Sequence, residues 1–134
     1  MSDSNKVDTG VVAYSAADLE HFRLLIEGKK KSAMADITQM REQMADSRDH
    51  AEDDTAYSFH MADAGTDAME REKLYLMLAR QQKYVGYLDR ALDRVQAGTY
   101  GICKVTGGLI SRERLEAVPH TEISIAAKLD QNKR

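Results

Sequence analysis

The sequence predicts a mainly all-α protein built on a long antiparallel coiled-coil hairpin, and three observations carry that reading. Charged residues make up 31% of the chain, with eight Gly and a single Pro, a balance suited to long solvated helices and poor for turn-rich sheets. Leu74, Leu78, Gln81, Val85, Leu88, Leu92 and Val95 alternate by four and three residues, the spacing of a coiled-coil seam. Earlier in the chain Leu19, Phe22, Ile26, Ala33, Ile37, Met40 and Met44 recur at steps of three, four or seven, a second apolar stripe for the first to meet.

Taken in order, residues 1–14 offer only Val7, Val11, Val12 and Ala13 for burial, so a disordered tail is expected there. Ser15 with Asp18 three residues on is a helix start: the hydroxyl satisfies an orphan N–H and the carboxylate suits the positive end of the dipole. The first helix follows to about Asp46, and the stretch 47–66, which has no sustained period, is expected to be a connecting loop forming an acidic tip. The second helix is expected from about Asp67 to Ala97, roughly 45 Å at 1.5 Å per residue, closed by Gly98. Its interior Gly86 suggests a close helix–helix contact. Residues 15–97 would thus form the hairpin, because neither stripe can be buried by one helix alone.

Residues 98–134 change character. Gly101, Gly107 and Gly108 mark tight turns, Ser111 can cap a short helix that Pro119 ends, and a last helix is expected from Ile123 to about Lys128. So small a module cannot hold a core unaided, which implies a disulfide, a metal or a docking surface. Leu109, Ile110, Leu115, Val118, Ile123, Ile125 and Leu129 are available to dock it on the hairpin.

Function classes are narrowed by charge and chemistry. With 134 residues there is room for one ordinary domain, not a multidomain enzyme. A net charge of −3 lacks the electrostatic footprint of a protein that grips a nucleic acid backbone. A lone Cys103, a polar start and no apolar run beyond Leu74–Ala79 predict a cytoplasmic protein with no membrane helix. His21, His50, His60 and His120 are scattered, and no phosphate loop or nucleophile–base pair is present, so no enzyme is expected.

Two features remain. Cys103 sits in a knuckle-like turn where a zinc site would repeat a thiolate at position 106, which is Thr106; His120 is the only other conventional ligand nearby, and two ligands do not make a structural zinc site. Between Asp46 and Lys73 nine acids face three bases, a concentration that would steer this part of the chain toward cationic or metal-bearing groups. Asp63, set among Met61, Ala62, Ala64 and Gly65, reads as a displayed carboxylate rather than a solubilising one.

Three stretches, MADAGTDAMEREK at 61–73, LDRALDRVQAGTYGIC at 88–103 and RERLEAVP at 112–119, resemble the DksA/TraR family. The resemblance implies a transcription regulator that inserts its coiled-coil tip into the secondary channel of bacterial RNA polymerase and modulates initiation without sequence-specific DNA binding. It places the family's zinc cysteines on Cys103, Thr106, Ser124 and Ala127, implying a zinc-less branch with no cofactor. It places the tip motif Asp-x2-Asp-x-Ala on His60, Asp63 and Gly65, with Asp67 a turn further on. Basic residues through which some members bind the alarmone ppGpp fall on Tyr87, Val118 and Lys128, of which only Lys128 is basic. A monomer is expected. Two alternatives stay open: a Gre-like factor whose Asp63 and Asp67 assist transcript cleavage, and a plain coiled-coil adaptor.

Overall fold

The computed structural model describes residues 12–54 and 61–132, with side chains over 12–46 and 67–132. Four helices follow in order: α1 (Ala16–Asp54), α2 (Met61–Ala97), α3 (Arg112–Ala117) and α4 (Ile125–Asn132). Ile102 and Leu109 form an antiparallel bridge. No described helix is long and apolar enough to cross a membrane.

The helix boundaries have local causes. The Ser15 hydroxyl accepts the Asp18 N–H at 3.1 Å, opening α1 as expected. Gly98, at φ +80°, closes α2 while the N–H groups of Thr99 and Tyr100 turn back onto the Arg94 carbonyl. The expected loop 47–66 is wrong in extent: α1 continues to Asp54 and α2 begins at Met61, so 47–54 and 61–66 are helical, and 55–60 lie outside the described residues. Once a helix is nucleated, each further turn needs only permissive residues, and 47–60 contains neither Gly nor Pro. The apolar stripe reports which turns are buried, not where the helix stops.

The chain forms two compact units, Met1–Lys30 with Gly86–Arg134, and Lys31–Val85. In the first, α1 and α2 run antiparallel: Lys30 Nζ meets Asp89 at 2.7 Å, and Arg23 and Glu27 line a shallow groove with Leu92, Val95 and Gln96. Phe22, Ile26, Leu88, Ala91, Tyr100, Ile110 and Leu115 are its buried core. In the second, Ala33, Ile37 and Leu78 are buried, while Met40, Met44, Leu74, Gln81 and Val85 are half-buried. Every member of both sequence stripes is at least half-buried, so the 3.5-residue reading of the hairpin holds.

Three expectations need correction. The tail does not run to 14, because Tyr14 packs edge-on against Phe22 at 5.5 Å between centroids and its hydroxyl donates to the Ile110 carbonyl; residues 1–11 lie outside the described residues. Gly86 is not a close helix–helix contact, since a Cβ there would meet only the Arg90 guanidinium, at 3.6 Å. Ile125 and Leu129 do not dock: α4 buries Ala127 and leaves both of them more than half exposed. The module instead seats Ile110 and Leu115 fully, with Arg112 of α3 bonded to Asp18 at 2.6 Å and His21 to Glu116 at 2.6 Å.

Gly101 is where backbone and packing both exclude a side chain. Its φ is +82°, and a Cβ would lie 2.6 Å from two carbons of the Tyr14 ring. Gly98 has the same left-handed backbone with nothing within 4 Å. Gly98→Ala should therefore cost only the backbone strain, about 1–2 kcal/mol. Gly101→Ala should add overpacking against Tyr14, for a total of about 2–5 kcal/mol, with the two compared by urea denaturation.

Candidate functional site

The C-terminal module converges on one sulfur. Cys103, 1% exposed, follows the Ile102–Leu109 bridge, its N–H donating to the Gly108 carbonyl at 2.7 Å and its carbonyl accepting the Gly107 N–H at 2.8 Å. The left-handed Gly107, at φ +77°, lets the chain reverse so that the Thr106 N–H points at Sγ, 3.4 Å away. The Ser124 N–H reaches the same sulfur from the opposite segment, also at 3.4 Å. Thus Thr106 and Ser124, which the sequence assigns to former zinc positions, do gather around Cys103. Ala127 is buried in the first turn of α4, its N–H capped by the Ser124 hydroxyl at 3.2 Å.

This donor set does not fit a C4 zinc site. One thiolate is present; the Thr106 hydroxyl accepts the Gly108 N–H at 3.2 Å, the Ser124 hydroxyl caps α4, and Ala127 has no donor atom. Among the described residues no group of three or more His, Cys, Asp or Glu could hold a metal ion. His120 lies elsewhere, stacked on Tyr87 at 5.4 Å, with burial and the nearby Arg94 lowering its pKa.

Two arginines absent from the sequence reading anchor the segment that brings Ser124 to the sulfur. Arg114 donates from Nε to the Ile123 carbonyl at 2.8 Å and from its terminal nitrogen to the Thr121 hydroxyl at 3.2 Å. Arg94 donates to the His120 carbonyl at 3.3 Å, and the Lys104 N–H donates to the Glu122 carbonyl at 2.9 Å. No periodicity could have revealed these bonds, which join residues up to 26 positions apart.

The tip is only partly described. His60 lies outside the described residues, and so does the side chain of Asp63; the backbone of Asp63 and Gly65 belongs to the first turns of α2. Asp67 is exposed on α2, one helical turn past Asp63. Of the positions that the resemblance aligns with the alarmone site, Lys128 is exposed on α4, Val118 caps α3, and Tyr87 is exposed, its ring stacked on His120 and approached by the Arg90 guanidinium at 5.1 Å. Lys128 is the sole cation among the three.

Burial pushes the Cys103 thiol up, but bonds from the Thr106 side chain and from the Thr106, Ser124 and Val105 backbone outweigh it, bringing the pKa down to about 6. A depressed acid pKa stabilises the fold above its unfolded value, ordinarily about 9, and that contribution is lost as pH falls through about 6. Wild-type urea midpoints should therefore rise between pH 6 and 9. Cys103→Ala should flatten that rise.

Comparison with known proteins agrees with this geometry. Residues 98–132 match the prokaryotic dksA/traR C4-type zinc finger. General stress protein 16O of Bacillus subtilis (strain 168) is 38% identical over 71 residues, 53% of this chain and 44% of that protein. The RNA polymerase-binding transcription factor DksA of Caulobacter vibrioides is 33% identical over 85 residues, 63% of this chain and 60% of that one. The chain thus spans about half the length of these curated relatives. The solved structure of transcription factor DksA2 from Pseudomonas aeruginosa superposes with a TM-score of 0.76 at 28% identity, covering 88% of this chain and 85% of that one. In its long helical hairpin and its C-terminal module with one cysteine, the chain is similar to proteins of the DksA/TraR family, over 98–132 by the zinc-finger match and over most of its length by fold.

Proposed function

We propose that this protein is a transcription regulator that binds RNA polymerase, inserting the connected ends of α1 and α2 into the secondary channel to modulate initiation, with no catalysis of its own. The observation that carries this reading is the hairpin-and-module fold shared with DksA2 over 88% of the chain. The name of the Caulobacter relative, an RNA polymerase-binding factor, supports the partner. A net charge of −3 supports contact with polymerase rather than sequence-specific contact with DNA.

Asp63 would be the regulatory carboxylate, acting on cationic or Mg²⁺-linked groups near the polymerase active centre. Asp67 is the neighbouring candidate, with His60 and Gly65 completing the tip. Asp63→Asn keeps shape and removes charge, so it should melt within about 0.5 kcal/mol of wild type and still be retained by core RNA polymerase in a pull-down. Promoter-complex lifetime should no longer respond to it. Failure of the wild-type chain to bind core polymerase would overturn the reading, and an effect lost in Asp67→Asn instead would move the probe one turn along α2.

The protein would act as a monomer, without zinc and without help from ppGpp. Lys128 alone offers little charge to a polyanionic nucleotide, and with Thr106, Ser124 and Ala127 beside it Cys103 supplies a single thiolate, which supports the absence of zinc. Elemental analysis should find no stoichiometric zinc, and a chelator should leave the thermal midpoint unmoved, whereas a structural zinc supplies an apparent ~10–16 kcal/mol whose removal would collapse it.

A further inference from the structure

The chain has seven methionines, and the five whose side chains are described, all in the Lys31–Val85 unit, fall into two kinds. Met69 is 73% exposed, Met34 47% and Met77 40%, and all three lie off the apolar stripes. Met40 and Met44 stand one turn apart on the seam face of α1, half-buried, where the stripe has run out of fully buried residues. Beyond Ala33 and Ile37, no described residue of α1 in this unit is buried, so these two thioethers are the last described apolar seam contacts of that helix.

We infer that Met40 and Met44 form an oxidation-sensitive site at which a peroxide loosens the coiled coil reversibly. The thioether sulfur attacks one peroxide oxygen, the O–O bond breaks and an S–O bond forms. Sulfur loses two electrons, and the second oxygen leaves as water after taking up the proton of the transferred one. The product replaces a flexible apolar side chain by a polar one that demands hydration. At Met69, Met34 or Met77 that change is solvated already and costs little. At Met40 and Met44 it places the sulfoxide on the face that closes the seam. Half-burial matters twice: the sulfur is reachable by a small oxidant, yet it still contributes packing.

This inference does not depend on the polymerase reading, since its readouts are mass and helicity. The full chain is treated with hydrogen peroxide, sulfoxides are located by peptide mass, Cys103 is verified as unmodified, and melting is followed by far-UV circular dichroism. Oxidation at positions 40 and 44 should lower the midpoint by roughly 4–8 °C, with recovery after methionine sulfoxide reductases A and B. Met40→Leu with Met44→Leu should keep its midpoint although Met34, Met69 and Met77 are oxidised. A triple variant, Met34→Leu, Met69→Leu and Met77→Leu, should remain as sensitive as wild type. An unmoved midpoint with both seam methionines oxidised, an equal fall in the double leucine variant, or complete oxidation of Met69 with none at 40 and 44 would each overturn the inference.

Discussion

The contact of Phe22 with Tyr100 is the constraint around which the Met1–Lys30 and Gly86–Arg134 unit is organised. The two rings are fully buried, with centroids 5.3 Å apart, and they join the first turns of α1 to the chain just beyond α2. Burying a tyrosine requires a partner for its hydroxyl, and the Pro119 carbonyl accepts it at 2.8 Å, tying the turn after α3 to the same point. Tyr14 closes the other side, edge-on to Phe22 and bonded to the Ile110 carbonyl. Three aromatic residues thus tie the start of α1, the chain just beyond α2 and the segments on either side of α3 to one another. Gly101 must lack a side chain because Tyr14 occupies the space where one would be.

That cluster explains how the module keeps a finger-like turn with one cysteine. In a C4 finger, a metal holds two segments together through four bonds and supplies folding energy outright. Here the same two segments meet through weaker, directional bonds onto one sulfur, while Arg114 and Arg94 hold the 120–123 segment by its carbonyls. Hydrogen bonds converge on that sulfur, and the apolar anchorage of the module comes from Ile110 and Leu115. The sulfur is still used, as an acceptor, and its acidity follows from the N–H groups aimed at it rather than from exposure.

The Lys31–Val85 unit is built differently. Three described residues are fully buried, and the seam otherwise consists of half-buried Met, Leu, Gln and Val side chains. A helix pair of this kind gains stability in small increments along its length, so changes in seam polarity have more leverage there than in the aromatic unit. Such a structure suits a protein whose helices present side chains to a partner instead of enclosing a pocket.

The sequence by itself determined the hairpin. Both stripes are local patterns with a helical period, and every residue from Leu19 to Met44 and from Leu74 to Val95 named for them is withdrawn from solvent to some degree. Ser15, Gly98 and Ser111 likewise mark helix ends through bonds spanning a few residues. The convergence on Cys103 was legible only as a spacing, which the resemblance turned into four positions. What the tertiary structure alone decided is long-range. It placed Tyr14 in the aromatic cluster, a contact made 96 residues away at Ile110. It also left Ile125 and Leu129 outside. Burial of a short, unpatterned segment depends on which surfaces the rest of the chain has already formed, and no window of sequence contains that information.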